Sequence, residues 1–415
     1  MFSEFDRRAM TRALELAERG LETTHPNPRV GCVIARDEEI VGEGWHERAG
    51  EPHAEINALS AAGPKAAGAT AYVTLEPCSH HGRTPPCVDA LVAARLARVV
   101  FALEDPNPRV SGRGAEALRR AGVVVESGLL AKEAAELNPG FLKRMRTGRP
   151  WVRLKLAMSL DGRTALANGA SQWITGPAAR EDVQRWRARS SAILTGIGTV
   201  LADDPRLDVR LPAPPSGRPR LQPLRVVLDA RLQTLPSARM LTIGGDVLIM
   251  TAANRGEDDA ERATRRSQLL EQGAAIEEVA VSAAGAGAGA EAFTRSNAAD
   301  DTAAGASATA SSIRLSLPDV LDGLGRREIN ELWVEAGSRL AGKLLDESLV
   351  DELVLYVAPK LLGSNARPLA DIADVQQLKD ARQLTIIETR QIGEDLRIRL
   401  RRSGDSAEHG TKAGG

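Results

Sequence analysis

The sequence predicts an α/β protein built from two consecutive domains. Three observations predict this class. The chain has 415 residues, about two to three times the length of a usual domain. Strand-like apolar runs alternate with helical segments along most of the chain, as in layered α/β folds. The alternation starts again at Trp151, after a turn-like stretch at 147–150. We therefore expect domains at residues 1–148 and 149–402, followed by a disordered tail at 403–415.

Hydrophobic periodicity and chain breakers predict the elements of the first domain. Ser3 precedes apolar residues at helical spacing and predicts a capped first helix, after which Pro26-Asn27-Pro28 breaks the chain. The other expected elements are a hairpin with strands at 30–35 and 40–45, helices at 53–62, 88–96 and 114–121, and strands at 71–75, 98–103 and 123–125.

The second domain shows the same alternation. Expected strands are at 151–156, 192–196, 224–228, 247–251, 331–335 and 351–357, and expected helices at 177–189, 258–272 and 338–345. Residues 282–312 are rich in Ala, Gly and Ser and hold almost no large apolar side chains. Such a segment cannot offset the entropy of ordering, so we expect a flexible insertion there.

Composition excludes several classes of protein. Lys and Arg number 54 against 55 Asp and Glu, which excludes nucleic-acid binding by bulk charge. No run approaches the roughly 20 apolar residues that span a membrane. The first residues carry early acids and resemble no secretory signal. Three cysteines do not form a disulfide framework, so we expect a cytoplasmic protein whose thiols are free or bind metal.

The ligand-type residues are concentrated near the N-terminus. All three cysteines and five of the six histidines fall within the first 87 residues. His53, Cys78 and Cys87 supply the three ligands of a catalytic zinc, which also needs an open position for water. Glu55 is placed to move protons, and His-x-Glu followed by Pro-Cys and a second Cys is typical of zinc deaminases. Here eight residues separate the cysteines instead of two, whereas Cys32 lies in an apolar strand and is expected to be a core residue.

Three alternatives remain open at this point. The first is a nucleoside or nucleic-acid deaminase with an unrelated second domain. The second is a protein in which only one domain is active. The third is a binding module whose zinc is closed by a fourth ligand, for which His80 or His81 lies near in sequence.

Motifs of the first domain resemble the deaminase half of the bifunctional riboflavin-biosynthesis deaminase/reductase family. They are His25-Pro26-Asn27-Pro28-Arg29-Val30-Gly31, Gly44-Trp45-His46, His53-Ala54-Glu55 and the long loop from Cys78 to Cys87. The resemblance implies a cytidine-deaminase-like α/β/α sandwich with one zinc per chain, held by the three predicted ligands beside the catalytic Glu55. It further implies that Asn27, His46 and His80 line the substrate pocket and that Arg83 faces the substrate phosphate.

The second domain lacks a Gly-x-Gly-x-x-Gly fingerprint after its first strand, which argues against a Rossmann site. Glycines between strand and helix at 196–198 and at Gly337 are more often simple turns, although a helix N-terminus there could bind a pyrophosphate. Four motifs resemble the reductase half of the same family, and they span residues 155–163, 171–175, 198–205 and 333–337. The resemblance implies a dihydrofolate-reductase-like α/β domain that uses NADPH.

The resemblance also implies the contacts of this second site. NADPH contacts would come from Ala157, Trp173, Thr199, Asp203, Gly337, Ser338, Arg339, Leu340, Ala341, Gly342 and Lys343. Substrate contacts would come from Lys155, Ser171, Arg187, Leu207, Arg210 and Glu335. Arg187 and Arg210 suit phosphate because a guanidinium matches its geometry.

The implied chemistry is two consecutive steps on one small molecule. Water acidified by zinc would replace an amine of a diaminopyrimidinone ribosylamino phosphate, and NADPH would then reduce the ribosyl group to ribityl. We accordingly expect pyrimidine ribosylamino phosphates as substrates, no nucleic-acid or membrane partner, and a homo-oligomer.

Overall fold

A computed structural model describes residues 1–79, 85–107, 110–213, 217–253, 260–282 and 313–403. Its strands form a five-stranded sheet, a nine-stranded sheet and a small two-stranded sheet. Within these ranges, none of the helices combines the length and the apolar character needed to cross a membrane.

The first sheet has the order β2-β1-β3-β4-β5. Strand β1 is antiparallel to both its neighbours, and β3, β4 and β5 run parallel. In chain order the elements are α1 (Glu4–Glu18), β1 (Gly31–Arg36), β2 (Glu39–Trp45), α2 (Ala54–Ala62), β3 (Thr70–Val73), α3 (Cys87–Ala93), β4 (Arg98–Phe101), α4 (Arg113–Arg120), β5 (Val124–Ser127), α5 (Ala131–Leu137) and α6 (Pro139–Thr147).

Helices cover both faces of this sheet. Helix α1 begins with a capping box in which Ser3 Oγ accepts the Asp6 N–H at 3.0 Å and Asp6 accepts the Ser3 N–H at 2.8 Å. Its apolar stripe, including Met10 and Leu16, packs on one face. Helices α2, α3 and α4 bury their apolar sides on the other face, where Cys32 is fully buried. The predicted α/β/α sandwich and the predicted core role of Cys32 are confirmed.

The second sheet has the order β11-β10-β9-β8-β12-β6-β13-β16-β15. The first seven of these strands are parallel, and β16 is antiparallel to both its neighbours, β13 and β15. The elements are β6 (Trp151–Ser159), β7 (Arg163–Ala165), α7 (Pro177–Ala188), β8 (Ala192–Gly196), α8 (Ile197–Asp203), β9 (Leu224–Leu228), β10 (Val247–Ala252), α9 (Ala260–Glu271), β11 (Ala275–Val279), α10 (Leu317–Arg326), β12 (Glu331–Glu335), α11 (Ser338–Asp346), β13 (Glu352–Ala358), β14 (Arg367–Pro368), β15 (Leu384–Ile392) and β16 (Asp395–Arg402).

Helices again lie on both faces of this sheet, as the predicted α/β class requires. Several elements were not predicted, among them α8 and α10. Helix α10 contains Gly323 and Gly325, which weaken its helical signal. A Cβ on Gly325 would lie 1.7 Å from the Gly148 carbonyl oxygen. Close packing against the end of α6 therefore requires glycine inside this helix.

The predicted insertion at 282–312 lies outside the described residues apart from Ser282, and so does the predicted tail apart from Ser403. The two described ends of the insertion meet. The Ser282 N–H donates to the Arg314 carbonyl at 2.8 Å, and Val281 forms an antiparallel bridge with Leu315.

Helix α6 connects the two large sheets and packs at their junction. A Cβ on Gly140 would lie 2.4 Å from the Asn330 carbonyl oxygen, so the helix backbone approaches the start of β12 closely. Lys143 forms an ion pair with Asp351 at 2.6 Å, and Glu136 of α5 pairs with Arg401 of β16 at 2.6 Å. The two halves of the chain are thus joined by backbone packing and by charge.

Candidate active sites

Three predicted metal ligands meet beside the first sheet. The ligand atoms of His53, Cys78 and Cys87 all lie within 4.8 Å of one another. His53 Nδ1 lies 3.6 Å from Cys78 Sγ and 3.3 Å from Cys87 Sγ. One nitrogen and two sulfur donors form a set that zinc prefers.

Helix ends place these ligands. His53 is the N-cap residue of α2, and its side chain makes no capping hydrogen bond, which leaves the ring directed to the other ligands. Cys87 is the first residue of α3, and its backbone N–H donates to Cys78 Sγ at 3.3 Å. Hydrogen bonds from Cys87, and from His53, outweigh burial and lower the pKa of Cys78. A thiolate is the form that binds metal, so the residues present fit zinc.

Glu55 lies in the first turn of α2 and is 4 % exposed. Burial raises its pKa to about 6, and the charge of Cys78 adds to this effect while His53 opposes it. A carboxyl group with a pKa near neutrality can both accept and return a proton.

Asn27 and His46 form a polar pair next to the ligands. His46 Nδ1 lies 3.1 Å from the Pro52 carbonyl oxygen, to which it donates, so Nε2 is the acceptor for Asn27 Nδ2 at 3.0 Å. The His46 ring meets the His53 ring edge to face, with centroids 5.3 Å apart. Burial lowers the pKa of His46 and favours the neutral ring.

His80 and Arg83, the other two predicted pocket residues, lie outside the described residues, as does His81. Within the described ranges the cluster contains three ligands. The sequence reasoning missed Glu76, a buried acid that accepts the backbone N–H groups of Asp105, Gly112 and Ala115 at 3.0 to 3.3 Å. It joins the segment before Cys78 to the start of α4. Its position directly after the strand expected at 71–75 was the available signal in the sequence.

A second cluster forms at the carboxyl ends of the central parallel strands in the nine-stranded sheet. Lys155 of β6 and Glu335 of β12 are direct neighbours in the strand register. Arg187 of α7 binds Glu335 with two hydrogen bonds, of 2.6 and 2.9 Å. The crevice at this edge of a parallel sheet is where α/β proteins commonly bind ligands.

The charges in this second cluster are coupled. Burial and Arg187 lower the pKa of Lys155, whereas Glu335 raises it. Burial acts against the ionised form of Glu335, but Arg187 and Lys155 lower its pKa to about 2. Glu335 is therefore a carboxylate that favours the protonated form of Lys155.

The other predicted substrate residues lie at different distances from this cluster. Arg187 Nη1 donates to the Asp208 carbonyl at 3.0 Å, and this bond attaches residues 207–210 to the cluster. Within that stretch Leu207 is buried and Arg210 is exposed. The fork of Arg187, predicted to hold phosphate, is thus occupied by protein acceptors. Among the described hydrogen bonds, none joins Ser171 to the cluster.

The predicted cofactor residues lie around two helix starts. Thr199 and Asp203 are on α8, and residues 337–343 run from the N-cap of α11 into that helix. The two helices follow the adjacent strands β8 and β12, and a Cβ on Gly196 would lie 3.3 Å from Leu340 Cδ2. Their free N–H groups face the same edge of the sheet, where they suit a pyrophosphate.

The two remaining predicted cofactor residues flank this edge. Ala157 is half-buried on β6. Trp173 is 64 % exposed, and its carbonyl oxygen accepts a hydrogen bond from Lys360 Nζ at 3.1 Å. The residues present therefore offer both a phosphate-binding edge and a large aromatic surface to NADPH.

Comparison with known proteins covers both halves of the chain. Residues 3–103 match the cytidine and deoxycytidylate deaminase zinc-binding region, and residues 150–398 match the RibD C-terminal domain. The riboflavin biosynthesis protein RibD of Escherichia coli K12 is 49 % identical over 399 residues, which cover 94 % of this chain and 98 % of that protein. RibD of Haemophilus influenzae is 44 % identical, over 96 % of this chain and 97 % of its own.

Solved structures agree with these matches. A structure of Acinetobacter baumannii RibD is similar with a TM-score of 0.82 and 42 % identity, covering 96 % of this chain and 99 % of the other. A Thermotoga maritima diaminohydroxyphosphoribosylaminopyrimidine deaminase/5-amino-6-(5-phosphoribosylamino)uracil reductase has a TM-score of 0.75 and 30 % identity, with the same coverage of both chains.

The ligand set predicts how zinc depends on each cysteine. The purified protein should contain about one zinc per chain. Cys87→Ser should lose most of this zinc, because a hydroxyl replaces one of three donors. Cys32→Ala, a change in the fully buried core cysteine, should retain it. Metal analysis of the three proteins measures this. Equal zinc in the Cys87→Ser and Cys32→Ala proteins would contradict the assignment.

Proposed function

The chain belongs to the RibD family of bifunctional riboflavin-biosynthesis deaminases and reductases, and on that premise we propose how its own residues divide the two reactions. The enzyme deaminates a diaminopyrimidinone ribosylamino phosphate to the corresponding aminouracil and then reduces the ribosyl group to ribityl. The meeting of three metal donors beside the buried Glu55 carries the assignment of the first step to residues.

In the first reaction we assign the metal to His53, Cys78 and Cys87. Zinc held there would acidify a water molecule, which is the nucleophile that displaces the amine. Glu55 takes the proton of that water and returns it to the departing ammonia, for which a pKa of about 6 is well suited. Asn27 and His46 orient the pyrimidine, since their hydrogen-bonded pair lies directly against the His53 ring. His80 and Arg83 keep the roles implied by the motif, with Arg83 at the phosphate.

In the second reaction the starts of α8 and α11 would bind NADPH, which would supply hydride for the sugar carbon. We assign Lys155 Nζ to hold a proton at the opening sugar, and the Glu335 charge opposes the lowering of the Lys155 pKa by burial and Arg187. Arg187 fixes the Glu335 carboxylate by its two hydrogen bonds. Arg210 is exposed and is the guanidinium we assign to the substrate phosphate, with Leu207 and Ser171 lining the same pocket.

The remaining assignments concern the surroundings of the enzyme. The formal net charge of −1 supports small-molecule substrates rather than nucleic acid. Two thiols arranged as metal ligands need a reducing compartment, which supports a cytoplasmic enzyme. We assign residues 1–148 to the deaminase domain and 149–402 to the reductase domain. The strands of the five-stranded sheet all lie before this boundary, and those of the nine-stranded sheet all lie after it.

A homo-oligomer is supported by the free edge of the nine-stranded sheet. The edge strand β15 has nine residues and exposes Leu384, Ile386 and Ile387 by 39 to 60 %. A long apolar edge strand promotes aggregation unless another chain or segment covers it. We propose that a second copy of the chain covers it.

Mass spectrometry tests the two activities and their order. With the diaminopyrimidinone substrate alone, the mass should rise by about one unit, since oxygen replaces an imino group. NADPH should add about two units. Glu55→Gln should lower the deaminase rate at least about 100-fold while zinc content and reduction of the aminouracil substrate stay unchanged. Full deaminase activity in Glu55→Gln would overturn the proton-transfer role, and a zinc-replete protein that changes no mass would overturn the substrate.

The pH profile of the reductase tests the Lys155–Glu335 pair. Removing the Glu335 charge leaves burial and Arg187 acting on Lys155, and both lower its pKa. Glu335→Gln should therefore move the alkaline limb of the profile to lower pH by about one unit, because Lys155 loses its proton earlier. Lys155→Met should lower kcat about 100-fold and abolish that limb. An unshifted limb in Glu335→Gln would contradict the pair, and the deaminase rate of both variants serves as the control.

Light scattering tests the interface at β15. The wild-type chain should be an oligomer at micromolar concentration, and Ile386→Lys should shift it toward the monomer because the edge would then bury a charge. Leu235→Lys is the matched control, since Leu235 is 52 % exposed and lies outside the edge strand. A monomeric wild-type chain, or equal effects of the two variants, would contradict the interface.

A further inference from the structure

The segment at residues 25–30 of the deaminase domain holds His46 at two atoms. Asn27 Nδ2 donates to His46 Nε2 at 3.0 Å. The His46 N–H donates to the Val30 carbonyl at 2.9 Å. Both the backbone and the ring of this pocket residue therefore depend on where the segment lies.

The reductase domain binds the same segment from the other side. Ser191 Oγ is hydrogen-bonded to His25 Nδ1 at 2.9 Å, and the same oxygen accepts the Glu331 N–H at 3.2 Å. Asn330 Nδ2 donates to the Pro26 carbonyl at 2.9 Å. The segment thus lies between the deaminase pocket and the start of β12.

The orientation of Asn330 is fixed by a second contact. Its Oδ1 accepts a hydrogen bond from Arg144 Nε at 2.6 Å, which directs the amide nitrogen to Pro26. Asn330 is 6 % exposed, so its amide group has little access to water as an alternative partner.

Arg29 forms the third connection, and it is charged. Its guanidinium binds the carboxylate of Glu331 and also donates to the Arg189 carbonyl at 3.1 Å. It donates to the Leu137 carbonyl at 2.9 Å and to the Leu21 carbonyl at 3.2 Å as well. The Arg29 guanidinium has five donors in one rigid plane. It therefore links strand β12 of the reductase domain to the deaminase backbone at Leu21 and at Leu137.

We propose that Asn330 and Glu331 of the reductase domain are positioning residues for the deaminase reaction. They hold residues 25–30 so that Asn27 and His46 face the pyrimidine in the correct register. The proposal rests on the proposed pocket role of Asn27 and His46. Asn330 and Glu331 act through this segment, because their cited side-chain hydrogen bonds join them to Pro26 and Arg29 of the segment and to Arg144 and Arg153, none of which is an assigned metal ligand.

The test uses the full-length enzyme with zinc bound. Asn330→Ala and Glu331→Gln should each lower deaminase kcat/KM about 10-fold, chiefly by raising KM, since the hydrogen bonds they remove orient substrate-binding groups. Zinc content should be unchanged, and the reductase rate with the aminouracil substrate should stay within about twofold. That rate also reports that the variants are folded.

Matched controls separate this effect from general loosening of the interface. Glu352→Gln changes a buried carboxylate that also pairs with Arg153, on the neighbouring side of β6, but it does not contact residues 25–30. Lys143→Ala removes the Lys143–Asp351 ion pair between the domains. Both controls should keep the wild-type deaminase KM.

A double variant decides whether the effect travels through Asn27. If it does, Asn27→Ala combined with Asn330→Ala should be no slower in deamination than Asn27→Ala alone. Fully multiplicative losses would overturn the proposal, as would wild-type KM values in Asn330→Ala and Glu331→Gln. An Asn27→Ala enzyme with normal deamination would overturn the pocket role itself, and with it the proposal.

Discussion

The relative position of the two domains depends on one buried carboxylate, that of Glu331. Glu331 is 1 % exposed and binds the guanidinium groups of Arg29 and Arg153, with Arg189 at 3.9 Å. Burial alone would raise its pKa, but these three arginines lower it well below its usual range. A buried charge is tolerated only when its partners are in place, because an unpaired one is costly. The carboxylate therefore enforces a single arrangement of the two domains that supply its partners.

Both reaction sites are built at junctions between strands and helices. His53 is the N-cap residue of α2 and Cys87 begins α3 in the deaminase, while α8 and α11 begin at the carboxyl edge of the reductase sheet. The first turn of a helix has backbone N–H groups without helical partners and carries partial positive charge. One site uses this to stabilise a thiolate, since the Cys87 N–H binds Cys78. In the other site, we propose, the same N–H groups face a phosphate of the cofactor.

The sequence predicted the site residues that can be recognised by their type and by their short spacing. His53, Glu55 and the two cysteine ligands followed from their chemistry, whereas Lys155 and Glu335 followed only from the resemblance to a family. The pairing of Arg29 with Glu331 could not be predicted from the sequence, because 302 residues separate the two and any other carboxylate could equally have been the partner. Helix α10 was missed for a related reason. Its two glycines look unfavourable locally, and the backbone that requires Gly325 belongs to a turn that is distant in sequence, at Gly148.

The bridge between Val281 and Leu315 reduces the dependence of the fold on the length of the segment between these two residues. Strand β11 and helix α10, which flank Val281 and Leu315, already hold these two residues together. The segment that links them therefore does not have to bring its own ends into contact. Each doubling of a closed loop costs only about 0.6 kcal/mol in chain entropy. The folding free energy of the reductase domain should therefore change little with the number of residues that link Ser282 to Ile313. This is a position at which evolution, or a designer inserting a reporter domain, can add sequence at small cost to folding.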